Sequence, residues 1–263
     1  MPRLFAALAL AVVLAVAAGT PARDDAKPFK LRWFGLSMFQ LETPAGKRIV
    51  FDPHAAPEFG RNLVQADIVC LSHLHSDHTQ LEVVENVKAA RVFKGLTEPR
   101  KGRASEWAKI DETVGAIRVR TVGLYHDAED GLVRGRNSAF ILDVEGVRLC
   151  HLGDLGHDLS PEQVKAIGPV DVLFVPVGGV YTLNGGGAKR AVAALKPGRF
   201  VLPMHYGVPG FDELTGPDEF LDGTDNVDRK LATNEFSFPA EVPAPAAGAK
   251  PAPVVTVLLG WKK

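Results

Sequence analysis

The sequence has only two cysteines, Cys70 and Cys150, among its 263 residues. Two thiols exclude a framework of several disulfides and any zinc site built on four cysteines. The chain is 46% hydrophobic and 23% charged. This composition is typical of a globular protein that buries a substantial core, and it excludes disorder as the main state.

An excess of charge of one sign is also missing. Lys and Arg number 30 and Asp and Glu number 31, so the formal net charge is -1 at pH 7. Without an excess of positive charge the chain has no electrostatic attraction for the phosphate backbone of nucleic acid. No nucleic-acid partner is therefore expected. The eight histidines are the feature to follow, because imidazole is the commonest metal ligand and these residues are unevenly spread.

The first 22 residues have the layout of a secretory signal peptide. Arg3 gives a positive start, residues 4–18 are an unbroken apolar run, and small residues follow. The alternative is an uncleaved anchor, but the run is shorter than the ~20 residues of a membrane span. We therefore expect residues 23–263 to be a single exported domain, periplasmic or secreted, with no stable membrane anchor after cleavage.

The rest of the chain is rich in strands at first and then alternates between strand and helix. Short apolar runs predict strands throughout, with a helix over 81–89 in the first half. Later, Ser160 and Pro161 predict the start of a second helix, and another is expected over 188–195. This alternation indicates an α/β layer. Residues 239–253 are rich in Ala and Pro and predict an extended surface loop.

Cys70 and Cys150 both lie in apolar runs that are typical of buried strands. Two interpretations stay open at this point. The two residues are either small buried hydrophobic side chains, or one disulfide that joins two core strands in an oxidising compartment. The geometry of the two strands decides between them.

The strongest chemical motif is the sequence HLHSDH at 73–78, directly after the apolar run DIVCLS. His73 and His75 stand two residues apart just past a strand end. In extended chain, residues i and i+2 point to the same side, so these imidazoles can converge on one ion. Asp77 and His78 follow as the chain turns and can face a second ion. Imidazole and carboxylate together suit Zn²⁺, Mn²⁺ or Fe.

Three more side chains that can bind metals stand at the ends of predicted strands. His126 follows IRVRTVGLY, Asp154 follows VRLCHLG, and His205 follows RFVLPM. Each of them taken alone is more often a structural polar residue. Taken together, they are the pattern expected of a sheet edge that is lined with metal ligands.

These motifs resemble the metallo-β-lactamase fold superfamily over most of the mature chain. The resemblance is carried by HLHSDH, by YHD at 125–127, by HLGDLGH at 151–157 and by PMHY at 203–206. The opening WFGLSMFQLE, followed by IVFDPH, is similar to a branch of small metal-dependent hydrolases that includes ascorbate-phosphate lactonase-like proteins. The resemblance implies an α/β fold, a four-layer αββα sandwich, and two divalent ions, with Zn²⁺ favoured over Mn²⁺ or Fe. It implies His73, His75 and His126 at one ion, Asp77, His78 and His205 at the other, and Asp154 as the bridge.

Two positions depart from this family pattern. Relatives in the branch often carry His where this chain has Leu36, which changes the edge of the pocket but not the ligand set. Zinc β-lactamases use Cys in the second-site role that corresponds to Asp154, so antibiotic hydrolysis is not expected. The chain also lacks an inserted domain of the kind found in RNA-processing nucleases of the superfamily.

The predicted activity is hydrolysis of an ester, lactone or phosphoester bond in a small-molecule substrate. Two adjacent divalent ions lower the pKa of a bridging water enough to supply hydroxide near neutral pH. Asp77 is expected both to bind metal and to take a proton from the nucleophile. Asp52 is expected to be a hydrogen-bond partner behind a ligating histidine.

The remaining histidines and two tyrosines are expected to contact the substrate or to support the site from the core. His157 is predicted to be a general acid or a substrate contact. His54, Tyr181 and Tyr206 are predicted substrate contacts, with core packing as the alternative for both tyrosines. His151 is expected to be a buried, hydrogen-bonded residue.

Two other classes of function stay open. One is a metal-binding member of the superfamily without catalysis, although every ligand position is filled. The other is a nucleic-acid phosphodiesterase. Loss of Arg3 with the signal peptide leaves 29 basic residues against 31 acidic ones, and this balance opposes binding to a phosphate backbone.

Overall fold

A computed structural model describes residues 27–241 and 252–261. The predicted signal peptide lies outside the described residues, as does most of the predicted loop at 239–253. The strands are β1 (Phe29–Trp33), β2 (Phe39–Glu42), β3 (Arg48–Phe51), β4 (Ile68–Leu71), β5 (Arg91–Lys94), β6 (Asp111–Val114), β7 (Ile117–Tyr125), β8 (Arg136–Val144), β9 (Val147–His151), β10 (Val172–Pro176), β11 (Phe200–Met204), β12 (Val227–Lys230), β13 (Glu235–Phe238) and β14 (Val255–Leu259). The helices are α1 (Pro161–Ile167), α2 (Gly185–Leu195) and α3 (Asp218–Leu221), and 3₁₀ turns lie at Pro57–Phe59, Ser76–His78 and Leu81–Val83.

The strands form two sheets. One has six strands in the order β13-β1-β2-β3-β4-β5, and the other has eight in the order β12-β14-β11-β10-β9-β8-β7-β6. Each sheet changes from antiparallel to parallel pairing along its width: β3, β4 and β5 are parallel, as are β9, β10 and β11. Strands β4 and β10 in these parallel regions are buried along their whole length, as expected of strands covered on both faces.

The inner faces of the two sheets meet in a layer of aromatic side chains. Phe174 of β10 packs against Phe39 and Phe51 of the first sheet, with ring centroids 4.8 and 5.8 Å apart. His151, the last residue of β9, stacks on Phe51 at 4.8 Å. All four side chains are buried. This layer fixes the relation between the strand ends of the two sheets.

Helix α1 begins where its sequence predicts, and α2 begins at Gly185, three residues before the predicted start at residue 188. The Ser160 side chain accepts the N–H of Gln163, and the Gln163 side chain accepts the N–H of Ser160, which makes a capping box at α1. The Asn184 side chain accepts the N–H of Gly187 at the start of α2. Helices α1 and α2 pack against β7 and β10, and the predicted α/β sandwich is confirmed. No helix in the described residues is long and apolar enough to cross a membrane.

The prediction of a helix over 81–89 is wrong. The chain makes one 3₁₀ turn there and then becomes extended at Val84, with φ -94° and ψ 98°. Val64 pairs with this extended segment, because its N–H donates to the carbonyl of Val83 and its carbonyl accepts the N–H of Glu85, both at 2.9 Å. β-Branched valines suit this extended pairing better than a helix. Irregular chain therefore covers the outer face of the first sheet here.

Cys70 in β4 and Cys150 in β9 are free thiols, and both are fully buried. Burial raises the pKa of both thiols, that of Cys150 to about 12, so they are protonated at neutral pH. The interpretation as small buried hydrophobic residues is confirmed, and the disulfide alternative is not.

Removal of an aromatic side chain from the layer between the sheets tests how much this packing stabilises the fold. We expect Phe174→Ala to lower the free energy of unfolding by about 3–5 kcal/mol, because it leaves a cavity between β3 and β10. Urea denaturation measures the change. Leu132→Ala is the control, since Leu132 is 85% exposed, and its effect is expected to be below about 0.5 kcal/mol. A loss under about 1 kcal/mol for Phe174→Ala would contradict this account of the core.

Candidate metal centre

Strands from both sheets end at one edge, and metal-capable side chains follow several of them. His73 comes two residues after β4 of the first sheet. His126 and His205 directly follow β7 and β11 of the second sheet, and Asp154 lies three residues beyond β9. All four are buried. The sheet edge lined with metal-capable side chains that the sequence predicts is therefore present in the fold.

The chain after β4 turns sharply and brings four side chains of the HLHSDH motif together. The 3₁₀ turn Ser76–His78 is closed by the N–H of His78, which donates to the carbonyl of His75 at 3.1 Å. His73 and His75 have ring centroids 4.6 Å apart, and His126 lies 4.8 and 5.0 Å from them. Three imidazoles thus form one compact group.

Asp52, at the end of β3, supports the histidines from behind. Its carboxylate accepts both the N–H and the hydroxyl of Ser72 at 2.7 Å. The Ser72 hydroxyl also lies 2.9 Å from Nδ1 of His73, and since it already donates its only proton to Asp52, His73 Nδ1 is the donor there. The lone pair of His73 is then on Nε2, which faces the cluster. Nδ1 of His78 lies 3.1 Å from Asp52 as well.

Asp154 occupies the centre of the cluster. Its Oδ2 lies 3.2 Å from Nε2 of His78, 3.3 Å from Nε2 of His126 and 3.1 Å from Nε2 of His205. Its Oδ1 accepts the hydroxyl of Ser37 at 2.9 Å. Gly153 precedes it with φ +54°, a conformation that suits glycine, and a Cβ there would overlap the side chain of Asn137.

His205 is held by the first sheet although it follows a strand of the second. Its N–H donates to the carbonyl of Leu36 at 3.0 Å, and that carbonyl also accepts the indole N–H of Trp33 at 3.0 Å. Leu36 and His205 both have positive φ, 45° and 52°, as does Asp52 at 43°. Residues other than glycine rarely adopt this conformation, and it costs of order 1–3 kcal/mol each. Of the eight non-glycine residues with positive φ in the described part of the chain, three therefore lie around the cluster.

The cluster fits metal ions because it brings many nitrogen and oxygen donors together and leaves several buried ring nitrogens without a hydrogen bond. Both ring nitrogens of His78, and Nδ1 of His126 and of His205, are buried without a hydrogen bond of good geometry. Unsatisfied buried polar atoms are costly unless a ligand such as an ion takes them up. There are three groups in which the donor atoms all lie within 4.8 Å of one another. These groups are His73, His75 and His126; His73, His78 and Asp154; and Asp77, His78 and His205.

The charges of the cluster favour a cation. Burial alone lowers the pKa of His78, but the carboxylates of Asp154 and Asp52 outweigh it and hold the pKa well above its usual value. Burial alone raises the pKa of Asp154, but His205 and His78 outweigh it and hold the pKa well below its usual value. The buried carboxylates therefore stabilise positive charge at the position of the imidazole nitrogens.

The structure places His157 outside this centre, against its prediction as a general acid. Its Nε2 accepts the N–H of Tyr125 at 3.1 Å, so Nδ1 carries the proton and donates to the carbonyl of Asp158 at 2.8 Å. Both nitrogens are occupied by the backbone, and the ring packs on Tyr125 with centroids 5.7 Å apart. His157 holds the loop after Asp154 onto the end of β7.

Two of the three predicted substrate contacts are also corrected. His54 is 1% exposed, with Nε2 at 3.1 Å from the carbonyl of Phe34 and Nδ1 accepting the N–H of Ala56. Tyr206 is buried against Trp33, and its hydroxyl donates to the carbonyl of Leu259 at 2.9 Å. Packing, the alternative for Tyr206, is what the structure shows. His151 is buried and hydrogen-bonded to the carbonyl of Ser37, as predicted.

Tyr181 does lie at the site, together with a residue that sequence reasoning missed. A cavity of about 210 Å³ beside the cluster is bounded by Tyr181, which is 43% exposed, and by Arg134. Ser37, which donates to Asp154, was missed as well. Neither Arg134 nor Ser37 stands directly after a predicted strand or beside another metal-capable residue, so no local sequence pattern marks them.

Comparison with known proteins agrees with this geometry. Residues 30–205 match the family model described as the β-lactamase superfamily domain. The chain is 31% identical to a structure from Thermotoga maritima assigned as a Zn-dependent hydrolase of the metallo-β-lactamase superfamily, with a TM-score of 0.61 over 88% of this chain and 98% of that one. A UPF0173 metal-dependent hydrolase from Thermoplasma acidophilum is 27% identical over 81% of this chain and 98% of its own. A UPF0173 relative from Thermococcus onnurineus is 28% identical over 67% and 84%.

The fold and the site define a metal-dependent hydrolase of the two-sheet sandwich class. The family model covers well over half of the chain, and the chain belongs to the β-lactamase superfamily domain family, within the metallo-β-lactamase superfamily.

The burial of His54 gives a prediction about acid stability. Desolvation, assisted by the charge of His78, lowers the pKa of His54 from 6.5 to about 4. The unfolded chain then takes up a proton before the folded one does as the pH falls. The contribution of His54 to stability is thus complete above pH 6.5 and declines between pH 6.5 and 4, by about 3 kcal/mol in all. An NMR titration of the His54 imidazole in the folded protein is expected to show a midpoint near pH 4.

A peptide that spans residues 50–58 provides the reference for this titration, with an expected midpoint near ~6.5. A midpoint close to that of the peptide in the folded protein would show that His54 is accessible to water, and would reopen its role as a substrate contact.

Proposed function

We propose that this protein is an exported hydrolase that holds two divalent ions and cleaves an ester, lactone or phosphoester bond in a small substrate. The observation that carries the proposal is the convergence of seven side chains from both sheets on one point, five of them buried. His73, His75 and His126 are the proposed ligands of one ion, Asp77, His78 and His205 of the other, and Asp154 the bridge.

Two features support two ions rather than one. Seven residues offer nitrogen and oxygen donors to the cluster, and these donors form three overlapping groups of three. A single tetrahedral ion uses at most four of them. We propose Zn²⁺ as the resident ion, because imidazole and carboxylate suit it and because the Thermotoga maritima relative is assigned as Zn-dependent.

Bound divalent ions supply the Lewis acidity that lowers the pKa of water and polarises the oxygen of the bond under attack. The protein orients the donors for this chemistry. Asp52 acts on His73 through Ser72 and on His78 directly. Nδ1 of His73 therefore faces Ser72, Nδ1 of His78 faces Asp52, and Nε2 of both rings faces the centre. Ser37 fixes the carboxylate plane of Asp154 in the same way.

Asp77 is the proposed proton acceptor. Its side chain is 44% exposed and borders the cavity beside the cluster, whereas Asp154 is buried. Burial raises the pKa of Asp77, but the hydrogen bond and charge of His78 outweigh it and lower the pKa to about 2. Asp77 is therefore ionised at neutral pH, in the form that accepts a proton from an attacking water.

The metal centre is tested by removal of its bridging residue. We expect metal-replete wild type to contain two ions per chain by elemental analysis. Asp154→Ala is expected to lose at least one ion and to lower kcat/KM at least about a hundred-fold on the best substrate in a panel of esters, lactones and phosphodiesters. Asp154→Asn keeps the shape of the side chain and serves if the alanine variant does not fold.

His157→Ala is the matched control for this experiment. Both nitrogens of His157 bind the backbone outside the cluster, so we expect wild-type metal content and activity, with circular dichroism to confirm the fold. A content of one ion per chain or fewer in metal-replete wild type would contradict the dinuclear proposal. Full activity in Asp154→Ala would contradict the assignment of the site.

Export is proposed from the N-terminal sequence alone. The small residues Ala15-Val16-Ala17 and Thr20-Pro21-Ala22 give two cleavage positions. Expression of the full chain in a Gram-negative host is expected to give a periplasmic protein whose mass, by mass spectrometry, starts at residue 18 or 23. A cytoplasmic protein with its first 17 residues intact would overturn this proposal. Arg3→Glu is the matched variant and is expected to slow export.

A further inference from the structure

Two cavities open beside the proposed ligands and have a wall in common. The first, of about 210 Å³, is bounded by five of the ligands and by Arg134 and Tyr181. The second, of about 290 Å³, adjoins His73 and His75 and is bounded by Arg134 and Arg136 as well. Among the described residues, Arg134 is the one side chain outside the ligand set that borders both cavities.

Apart from the proposed ligands, the charged residues that border these cavities are all positive. In the described part of the chain, the carboxylates of the first cavity are Asp77 and Asp154, both of them proposed ligands, and the second cavity has none. Arg134 and Arg136 are the cations. Any charged part of a substrate that extends away from the metal centre therefore meets positive charge.

Arg134 has no carboxylate partner among the described residues. Its Nη2 donates to the carbonyl of Val180 at 3.2 Å, and its guanidinium lies over the ring of Tyr181 at 5.4 Å from the centroid. Arg136 differs, because its Nη1 donates to the carbonyl of Ser105 at 2.7 Å and its guanidinium lies 4.7 Å from the Trp107 ring centroid. A guanidinium has five N–H donors, so most of those on Arg134 are free to bind a ligand.

The backbone of Arg134 is fixed, unlike that of an ordinary surface arginine. The carboxylate of Asp127 accepts four backbone N–H groups of the same loop, those of Glu129, Gly131, Val133 and Arg134, at 2.6–3.1 Å. These bonds satisfy Asp127, which is why it does not pair with the guanidinium. Asp127 directly follows the ligand His126, so the loop is tied to the metal centre.

We propose that Arg134 is a specificity-determining residue that binds a second anionic group of the substrate, a carboxylate or a phosphate, while the metal centre holds the bond to be cleaved. This inference rests on the proposed function. A planar guanidinium binds either oxyanion through two parallel N–H bonds, and a fixed loop reduces the entropy lost on binding. The substrate class is thus a small ester, lactone or phosphoester that carries an additional anion.

Equilibrium binding to the metal-loaded protein tests the inference without turnover. The probes are butyrate, with one carboxylate, glutarate, with two, and 3-phosphonopropionate, with a carboxylate and a phosphonate. Each offers one carboxylate to the ions, and the last two add a second anion. By calorimetry, glutarate or 3-phosphonopropionate is expected to bind about ten- to a hundred-fold more tightly than butyrate. The tighter of the two identifies carboxylate or phosphate as the second group.

Variants at Arg134 show whether this residue is responsible. In Arg134→Gln, the ratio of the Kd of butyrate to that of the preferred dianion is expected to fall at least ten-fold. Arg134→Lys keeps the positive charge but loses the two parallel N–H donors of the guanidinium, and it is expected to give an intermediate ratio of the two Kd values. Arg32→Gln is the control, because Arg32 pairs with Glu235 on the first sheet and does not border either cavity. An equal ratio in wild type and Arg134→Gln would overturn the inference, as would equal binding of all three probes by wild type.

Turnover separates this inference from the proposed function. Mono-4-nitrophenyl succinate and 4-nitrophenyl butyrate differ in one carboxylate, and the ratio of their kcat/KM values is expected to fall in Arg134→Gln, mainly through KM. If metal-loaded wild type hydrolyses neither these esters nor any lactone or phosphodiester, the proposed function fails. The binding ratios then still decide whether Arg134 recognises an anion.

Discussion

The buried carboxylate of Asp154 is the constraint on which the rest of the site depends. Removing a carboxylate from water costs several kcal/mol unless positive groups surround it. Three imidazole nitrogens lie 3.1–3.3 Å from one of its oxygens, and a hydroxyl satisfies the other. Those imidazoles follow β4, β7 and β11, which belong to different sheets. The two sheets must therefore keep a fixed relation for this charge to stay compensated.

The aromatic layer and the strained backbone both help to keep the two sheets in this fixed relation. Phe51 and Phe174 hold the sheets together directly behind the site, and His151 is stacked between the sheets rather than offered to a metal. Leu36 and His205 adopt unfavourable φ values so that one carbonyl of the first sheet meets one N–H of the second. Packing elsewhere in the sandwich offsets this local cost.

Rigid strand ends and adjacent loops have different tasks in this fold. The proposed metal-binding side chains follow strands, and Asp52, Ser72 and Ser37 orient three of them. Arg134 and Tyr181 lie on two loops that contact each other at the rim. In many folds the rigid scaffold positions the reacting groups and the loops recognise the substrate, because loops can vary in sequence without disturbing the sheet. The free thiols Cys70 and Cys150 take no part in either task.

Resemblance to the metallo-β-lactamase superfamily implied the sandwich. The sequence by itself predicted an α/β layer, the capped helix α1 and seven metal-capable side chains near strand ends. These follow from local rules, because hydrophobic runs, caps and histidine spacing are visible within a few residues. Only the tertiary structure showed the partners of His54, His157 and Tyr206, whose polar atoms are taken up by backbone groups up to 53 residues away. It likewise replaced the helix at 81–89 by a pairing with Val64, and brought Arg134 to the cavities. The physical reason is the same in each case: a hydrogen-bond partner distant in sequence is not encoded in the local pattern.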